Sequence, residues 1–281
     1  MMHALPGGLA SFVSCCLLLT LLAFAGQSAT AQDGPQLEHE PLFEAHTFSG
    51  EAGETLPYRL MKPLAEGDDA DQKYPLLVFL HGFGERGDDN LRQLYYLEPL
   101  GKEELRKRHP AFVLAPQCPA ENDDAGRPIT WTARLNPGET PAADAKPTAP
   151  MGQVIALLDK LCEELPIDRT RIYVSGLSMG GYGTWDLAAR LREQVAAVAP
   201  ICGGGDPGTA EKLAGLPIWA FHGGADGVVP PERSREMVAA VRAAGGTAML
   251  TEYPGVGHDS WKPALRERLL WDWMFAQRRQ P

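Results

Sequence analysis

The stretch that decides the fold is Gly176-Leu177-Ser178-Met179-Gly180. Residues 171–175 before it predict a strand, and residues 179–192 around and after it predict a helix. Glycines two positions before and two positions after a serine leave room for the backbone of a tight strand-to-helix turn. We expect this turn to hold Ser178 in a strained conformation, with its hydroxyl exposed at the carboxyl end of the strand.

Strands alternate with helices on both sides of this turn. Two continuous apolar runs, at residues 75–80 and 111–115, predict strands that are buried on both faces. A helical spacing of apolar residues follows at 151–164. After the turn, the patterns predict strands at 195–199, 218–221 and 247–253 and helices at 231–244 and 262–277. This alternation predicts an α/β fold with a mostly parallel, doubly wound sheet and helices on both faces.

Length and composition are those of a globular protein. The chain has 281 residues, of which 44% are hydrophobic and 22% are charged. This length allows one large domain or two small ones, and the unbroken alternation predicts a single domain over residues 55–281. The net charge of −10 repels phosphate backbones and anionic membrane surfaces, so we expect no nucleic-acid partner.

The first 31 residues have the pattern of a secretory leader. Residues 9–26 are almost continuously apolar, and Ala29-Thr30-Ala31 has the small-x-small pattern that precedes a cleavage site. We expect cleavage after Ala31, with a cut after Ala25 as the alternative, and hence a secreted or periplasmic protein. The leader has no Lys or Arg before its apolar run, which leaves an uncleaved membrane anchor as the other interpretation. Residues 32–54 are expected to form a loose segment before the domain.

Cys118, Cys162 and Cys202 follow the leader. An odd number of cysteines permits at most one disulfide, and the sequence does not decide whether one forms. Their spacing is not that of metal ligands. We therefore expect neither a metal nor another cofactor.

A serine hydroxyl is a poor nucleophile, and it reacts only beside an oriented base. His258 lies just after the last predicted strand, in a loop that can reach back over Ser178. The acid that orients the base is expected between the serine and the histidine in chain order, and Asp226 follows the strand at 218–221. Asp206 and Asp259 are the alternatives for this acid, although Asp259 is badly placed because it directly follows the histidine.

Acyl transfer also needs hydrogen-bond donors for the oxyanion. The turn supplies the backbone N–H of Met179. A second donor is expected from the loop after an early strand, and Phe83 in His81-Gly82-Phe83-Gly84 provides it. We assign structural roles to His81 and His222.

These motifs together resemble those of the α/β-hydrolase superfamily. The matching segments are Leu80 to Gly87, Gly176 to Gly181, His222 to Asp226 and Gly257 to Trp261. Within the superfamily they look like the secreted esterase or "predicted peptidase" branch, near phospholipase/carboxylesterase, prolyl-oligopeptidase-type and polyhydroxybutyrate-depolymerase-like domains. The resemblance covers about residues 56–277. It implies a serine hydrolase in which Ser178 is the nucleophile, Asp226 the acid and His258 the base.

Three further residues border the expected active face: Gln117, Trp131 and Trp261. The two aromatic rings are candidates for stacking on a phenolic or sugar ring, with core packing as the alternative. The expected activity is hydrolysis of carboxylic esters, such as acylated carbohydrates or small aliphatic or aromatic esters. A serine peptidase acting on short peptides, a non-catalytic binding module on the same fold and a membrane-tethered interaction protein remain as alternatives. The exact substrate and the oligomeric state do not follow from the sequence.

Overall fold

The computed structural model describes residues 37–50, 53–64, 71–133 and 145–279. The predicted leader, its cleavage site and the start of the segment predicted to be loose lie outside these residues. The strands are β1 (Phe43–Ser49), β2 (Thr55–Met61), β3 (Tyr74–Leu80), β4 (Phe112–Pro116), β5 (Ile167–Leu177), β6 (Ala197–Ile201), β7 (Trp219–Gly223) and β8 (Met249–Tyr253). The α-helices are α1 (Glu98–Gly101), α2 (Glu103–Arg108), α3 (Ala149–Glu164), α4 (Met179–Arg190), α5 (Ala210–Leu213), α6 (Glu232–Ala243), α7 (Trp261–Arg266) and α8 (Arg268–Ala276).

The eight strands form one sheet in the order β1-β2-β4-β3-β5-β6-β7-β8. The pairs β1–β2 and β2–β4 are antiparallel, and every pair from β4 through β8 is parallel. The predicted mostly parallel sheet is therefore confirmed. Because parallel strands end at the same edge, the loops that follow β3, β5, β7 and β8 meet there, which is where such sheets place their sites.

The core consists of two apolar layers, one on each face of the sheet. All seven residues of β3 are buried, which explains why its sequence is a continuous apolar run. Helices α3, α4, α5 and α6 contribute buried residues to one layer, and α1, α7 and α8 contribute them to the other. The helices thus cover both faces, as the alternation predicted.

Two predicted elements differ from the structure. Residues 43–49 lie in the segment predicted to be loose, yet they form β1, paired with β2 from Phe43↔Met61 to Ser49↔Thr55. This edge strand is mostly solvent-facing, so its stability comes from backbone pairing and its sequence carries no apolar run. The helix predicted at 262–277 is two helices, because the extended backbone of Glu267 separates α7 from α8.

Two further observations concern the described residues alone. None of their helices is both long and apolar enough to cross a membrane. Cys118, Cys162 and Cys202 are buried free thiols, so these three residues form no disulfide with one another.

Candidate active site

Ser178 occupies the turn between β5 and α4 with φ 53° and ψ −116°. This left-handed conformation is costly for a residue with a side chain, and it persists only where the surroundings enforce it. The flanking glycines allow the Leu80 carbonyl to approach the turn. A Cβ at Gly176 would lie 2.6 Å from the carbonyl oxygen of Leu80, and a Cβ at Gly180 would overlap that carbonyl. The predicted strand-to-helix turn is therefore present, with the serine side chain partly exposed.

The structure brings Ser178, His258 and Asp226 together. The Ser178 hydroxyl lies 2.9 Å from His258 Nε2, and His258 Nδ1 lies 2.7 Å from Asp226 Oδ2. The Asp226 side chain is completely buried, and the His258 side chain is 19% exposed. Since a carboxylate only accepts, Nδ1–H donates to Asp226, and Nε2 is left to accept the serine proton. This is the arrangement that activates a serine hydroxyl.

The other oxygen of Asp226 is held by backbone. Oδ1 accepts hydrogen bonds from the N–H groups of Val228 and Val229, each at 2.9 Å. These bonds fix the carboxylate in the loop after β7. The loop is in turn bonded to the one that carries His258, because Ala225 N–H donates to the Val256 carbonyl at 2.9 Å.

The alternative acids face elsewhere. Asp206 Oδ1 accepts from the N–H of Gly208 at 2.8 Å, which caps a short 3-10 helix. Asp259 pairs with Lys262 at 2.9 Å, and this hydrogen bond lowers the pKa of Asp259. Of the three carboxylates considered from the sequence, only Asp226 contacts the His258 ring.

The loop after β3 places Phe83 beside the turn. His81 anchors this loop: its Nδ1–H donates to the Gly82 carbonyl at 2.6 Å, and its Nε2 accepts from Cys118 N–H at 2.9 Å. Burial lowers the pKa of His81 to about 4, so the ring is neutral near pH 7, as the acceptor at Nε2 requires. Leaving aside bonds within helices and strands, the backbone N–H groups of Phe83 and Met179 make no hydrogen bond to a backbone carbonyl of the described residues. Both therefore remain candidates for binding an oxyanion.

Arg86 also stiffens this loop. Its guanidinium donates to the carbonyls of Phe83 at 3.2 Å and Ile129 at 3.0 Å. It also lies 3.6 Å above the centre of the Phe83 ring. This ring is 45% exposed, so it offers an apolar surface to solvent next to the turn.

Two of the three predicted substrate contacts are corrected by the structure. Trp131 is completely buried, and its indole N–H donates to the His81 carbonyl at 3.0 Å. Gln117 is also completely buried, where its amide bonds to Asp89 at 2.8 Å and to Asn90 N–H at 2.7 Å. Both side chains brace the loops behind the site, because their polar atoms are satisfied by protein groups.

Trp261 does lie at the site. Its ring meets the His258 ring edge to face, with centroids 5.4 Å apart, and it packs against Tyr96 at the same separation. Sequence reasoning did not select Tyr96, whose neighbours carry no motif, nor Val228, which is 71% exposed two residues after Asp226. With Phe83, these residues give the neighbourhood of the catalytic candidates an apolar character.

One group of side chains has the composition of a metal site. Ligand atoms of Cys202, Asp226 and His258 lie within 4.8 Å of one another. However, burial raises the pKa of Cys202 to about 12, so its sulfur is a thiol and not a thiolate ligand. Asp226 and His258 are already bonded to each other. The described part of the chain therefore offers no ready metal ligand set at this site.

The sheet order, the serine at the turn after β5, and the acid and base after β7 and β8 define an α/β-hydrolase fold. The sequence profile of the phospholipase/carboxylesterase family matches residues 65–268, and the chain belongs to that family. A thermostable esterase of known crystal structure is 39% identical with a TM-score of 0.76, over 86% of this chain and 64% of the esterase. The feruloyl esterase module of Clostridium thermocellum shares the fold, with 15% identity and a TM-score of 0.59 over 85% of this chain and 89% of the module.

Two curated proteins match shorter stretches. A bifunctional acetylxylan esterase/xylanase of Neocallimastix patriciarum is 34% identical over 76 residues, which are 27% of this chain and 11% of that protein. Poly(3-hydroxyalkanoate) depolymerase C of Paucimonas lemoignei is 29% identical over 133 residues, which are 46% of this chain and 28% of the depolymerase. The chain thus spans well under two thirds of the length of either relative.

Proposed function

We propose that this protein is a serine hydrolase that cleaves carboxylic esters through an acyl-enzyme intermediate. The observation that carries the proposal is the continuous contact from Ser178 Oγ through the His258 ring to Asp226, at 2.9 and 2.7 Å. Membership in the phospholipase/carboxylesterase family and the 39% identity to a thermostable esterase support it.

In the first step, Ser178 Oγ attacks the ester carbonyl carbon while His258 Nε2 takes the hydroxyl proton. Asp226 holds the His258 tautomer and stabilises the imidazolium that forms. The N–H groups of Phe83 and Met179 bind the oxyanion of the tetrahedral intermediate. When the intermediate collapses, His258 returns the proton to the departing alcohol, and the acyl group stays on Ser178.

In the second step, water replaces the alcohol. His258 takes a proton from the water as it attacks the acyl-enzyme, and the same donors bind the second oxyanion. Collapse then releases the carboxylic acid and restores the serine hydroxyl. No metal or organic cofactor takes part in these steps.

The proposed substrates are acylated carbohydrates and small aliphatic or aromatic esters. The exposed Phe83 and Val228 side chains and the Trp261 ring beside His258 suit an apolar acyl or aryl group. The partial match to an acetylxylan esterase supports a carbohydrate-linked ester. Export follows from the leader pattern alone, and amino-terminal sequencing of secreted protein, with Gln32 expected as the first residue, tests it.

The decisive experiment is labelling with a fluorophosphonate, which reacts with activated serines. Wild-type protein and the control Ser49→Ala, which removes an exposed hydroxyl at the end of β1, should both be labelled. The variant Ser178→Ala should not be. Labelling that persists in Ser178→Ala, or a wild type that remains unlabelled, would overturn the proposal. A panel of acetyl, butyryl and feruloyl esters with matched short amides then measures the preference for esters, and faster cleavage of the amides would refute the ester assignment.

A further inference from the structure

A second imidazole lies against the carboxylate of Asp226. His222, near the end of β7, is completely buried, and its Nε2 lies 3.3 Å from Asp226 Oδ2. The same Nε2 lies 3.0 Å from the carbonyl oxygen of Val229. Since His258 Nδ1 donates to Oδ2 as well, this one oxygen faces N–H positions of two histidine rings.

The surroundings of His222 decide which of its nitrogens carries the proton. Nε2 faces two acceptors, the Val229 carbonyl and the Asp226 carboxylate, so it must donate. Nδ1 lies 2.7 Å from the buried hydroxyl of Ser234, whose oxygen also lies 2.8 Å from the Gly203 carbonyl, so its single proton can bond to only one of the two. Burial lowers the pKa of His222, so the ring carries a single proton near neutral pH. The two acceptors at Nε2 therefore select the neutral Nε2–H tautomer, in which the Ser234 hydroxyl turns its proton to Nδ1 and away from the Gly203 carbonyl.

A carboxylate has about four lone-pair positions on its two oxygens. On Asp226, two backbone N–H groups donate to Oδ1 and the His258 ring donates to Oδ2, while His222 Nε2, whose N–H bonds to the Val229 carbonyl, lies 3.3 Å from Oδ2. With three hydrogen bonds and this close contact in place, the carboxylate cannot rotate without breaking a hydrogen bond. Of these four contacts, that of His222 is the one made by a side chain outside the proposed triad, and its N–H also holds the Val229 carbonyl of the turn whose N–H bonds to Oδ1.

We propose that His222 is a positioning residue, which holds the Asp226 carboxylate and the Val229 turn so that His258 presents Nε2 to Ser178. This inference rests on the proposed function and adds a fourth side chain to its machinery. His222 touches neither the substrate nor the reacting atoms. Its loss should therefore lower kcat and leave substrate binding nearly unchanged.

Two amide variants separate the donor at Nε2 from the rest of the ring. In His222→Gln, the side-chain amide nitrogen reaches the place of Nε2 and can still donate to Asp226 and Val229. In His222→Asn, the shorter amide reaches only the place of Nδ1, so it keeps a contact with Ser234 but loses the hydrogen bond to the Val229 carbonyl and the N–H beside Oδ2.

Steady-state kinetics with an ester substrate should distinguish these variants. We expect His222→Asn to lose about 10²-fold in kcat, the effect of a small misplacement of a reacting group, with KM changed less than about twofold. His222→Gln should recover to within roughly threefold of the wild-type kcat. Equal losses in the two variants, or a His222→Asn enzyme as fast as wild type, would refute the positioning role.

His39→Asn serves as the matched control. His39 is another buried histidine, and its ring bonds to the Leu94 carbonyl at 2.8 Å, away from the triad. This control should lower the unfolding temperature and leave kcat unchanged. If the wild type fails to react with a fluorophosphonate, the proposed function fails. If the wild type is labelled but the His222 variants do not separate, only the positioning role fails.

A measurement on wild-type protein keeps the inference testable if His222→Asn does not fold. In ¹⁵N-histidine spectra at pH 7, with His222 assigned by its disappearance in His222→Gln, the ring should show the neutral Nε2–H tautomer. A proton on Nδ1 instead would mean that His222 cannot donate to Asp226, and it would overturn the proposal.

Discussion

Replacing Asp226 by asparagine changes one group of the proposed triad and reverses the direction of the hydrogen bond between its Oδ2 position and His258. The backbone N–H groups of Val228 and Val229 both point at Oδ1, so the amide oxygen must take that position. The amide NH₂ then replaces Oδ2, where it faces His258 Nδ1. Because two donors cannot pair, Nδ1 must become an acceptor, and the His258 proton moves to Nε2.

The size of the expected effect follows from this exchange of tautomers. A proton on Nε2 faces the Ser178 hydroxyl, so His258 can no longer accept the serine proton. The loss of a correctly protonated base in such a triad costs about 10⁴-fold in kcat, which corresponds to about 5.5 kcal/mol of activation free energy. The same NH₂ also faces the buried N–H of His222, so the favourable contact there becomes one donor facing another, although the N–H keeps its bond to the Val229 carbonyl.

The assay is kcat/KM for a p-nitrophenyl ester, with the labelling rate of a fluorophosphonate measured in parallel. Asp206→Asn is the matched control, because its carboxylate caps a 3-10 helix and does not contact His258. We expect Asp206→Asn to stay within about twofold of wild type. The assignment of the acid is refuted if Asp226→Asn keeps more than about a tenth of the activity, or if Asp206→Asn proves to be the more damaging change.

Two further predictions concern the scaffold. Gly180→Ala places a Cβ on the Leu80 carbonyl, so it should lower the unfolding free energy by about 3 kcal/mol or more and abolish fluorophosphonate labelling; unchanged values would contradict it. His81 has a pKa of about 4 in the folded protein, against ~6.5 in the unfolded chain. The unfolded chain therefore binds more protons between these values, and stability falls as the pH falls from 6.5 toward 4, by roughly 3 kcal/mol in total. Urea titrations give the free energy of unfolding at pH 7.5 and at pH 5. Its decrease between these two pH values should be about 2 kcal/mol smaller in His81→Gln than in wild type. Equal decreases would show that protonation of His81 is not the cause.

The elements that were predictable from sequence are those whose pattern is local. β3 is buried on both faces, so nearly every one of its positions must be apolar, and the run is visible without knowledge of its neighbours. The turn at Ser178 needs glycines at two set positions because the Leu80 carbonyl approaches there. The order of serine, acid and base along the chain then follows from the order of the strands that carry them.

The elements that were not predictable depend on partners distant in the chain. β1 is held by its register with β2, and its exposed residues resemble a loop. The sequence positions of Trp131 and Gln117 suggest that both residues border the active edge. Their burial, however, depends on the distant residues that they contact, His81 for Trp131 and Asp89 for Gln117. The spacing of an aromatic or amide residue does not reveal which side of a loop it faces.

The acid of the proposed triad is completely buried whereas its nucleophile and base are partly exposed, and this difference determines how each member responds to change. Ser178 is partly exposed, His258 is 19% exposed and Asp226 is completely buried. At the exposed end, solvent can replace a lost partner, so a substitution there removes only the group itself. At the buried end, the backbone N–H donors on Oδ1 cannot reorient, and an altered acid must be accommodated by the mobile proton of His258. Changing one buried oxygen of Asp226 therefore removes the activation of the Ser178 hydroxyl, two hydrogen bonds away, without moving the backbone around it.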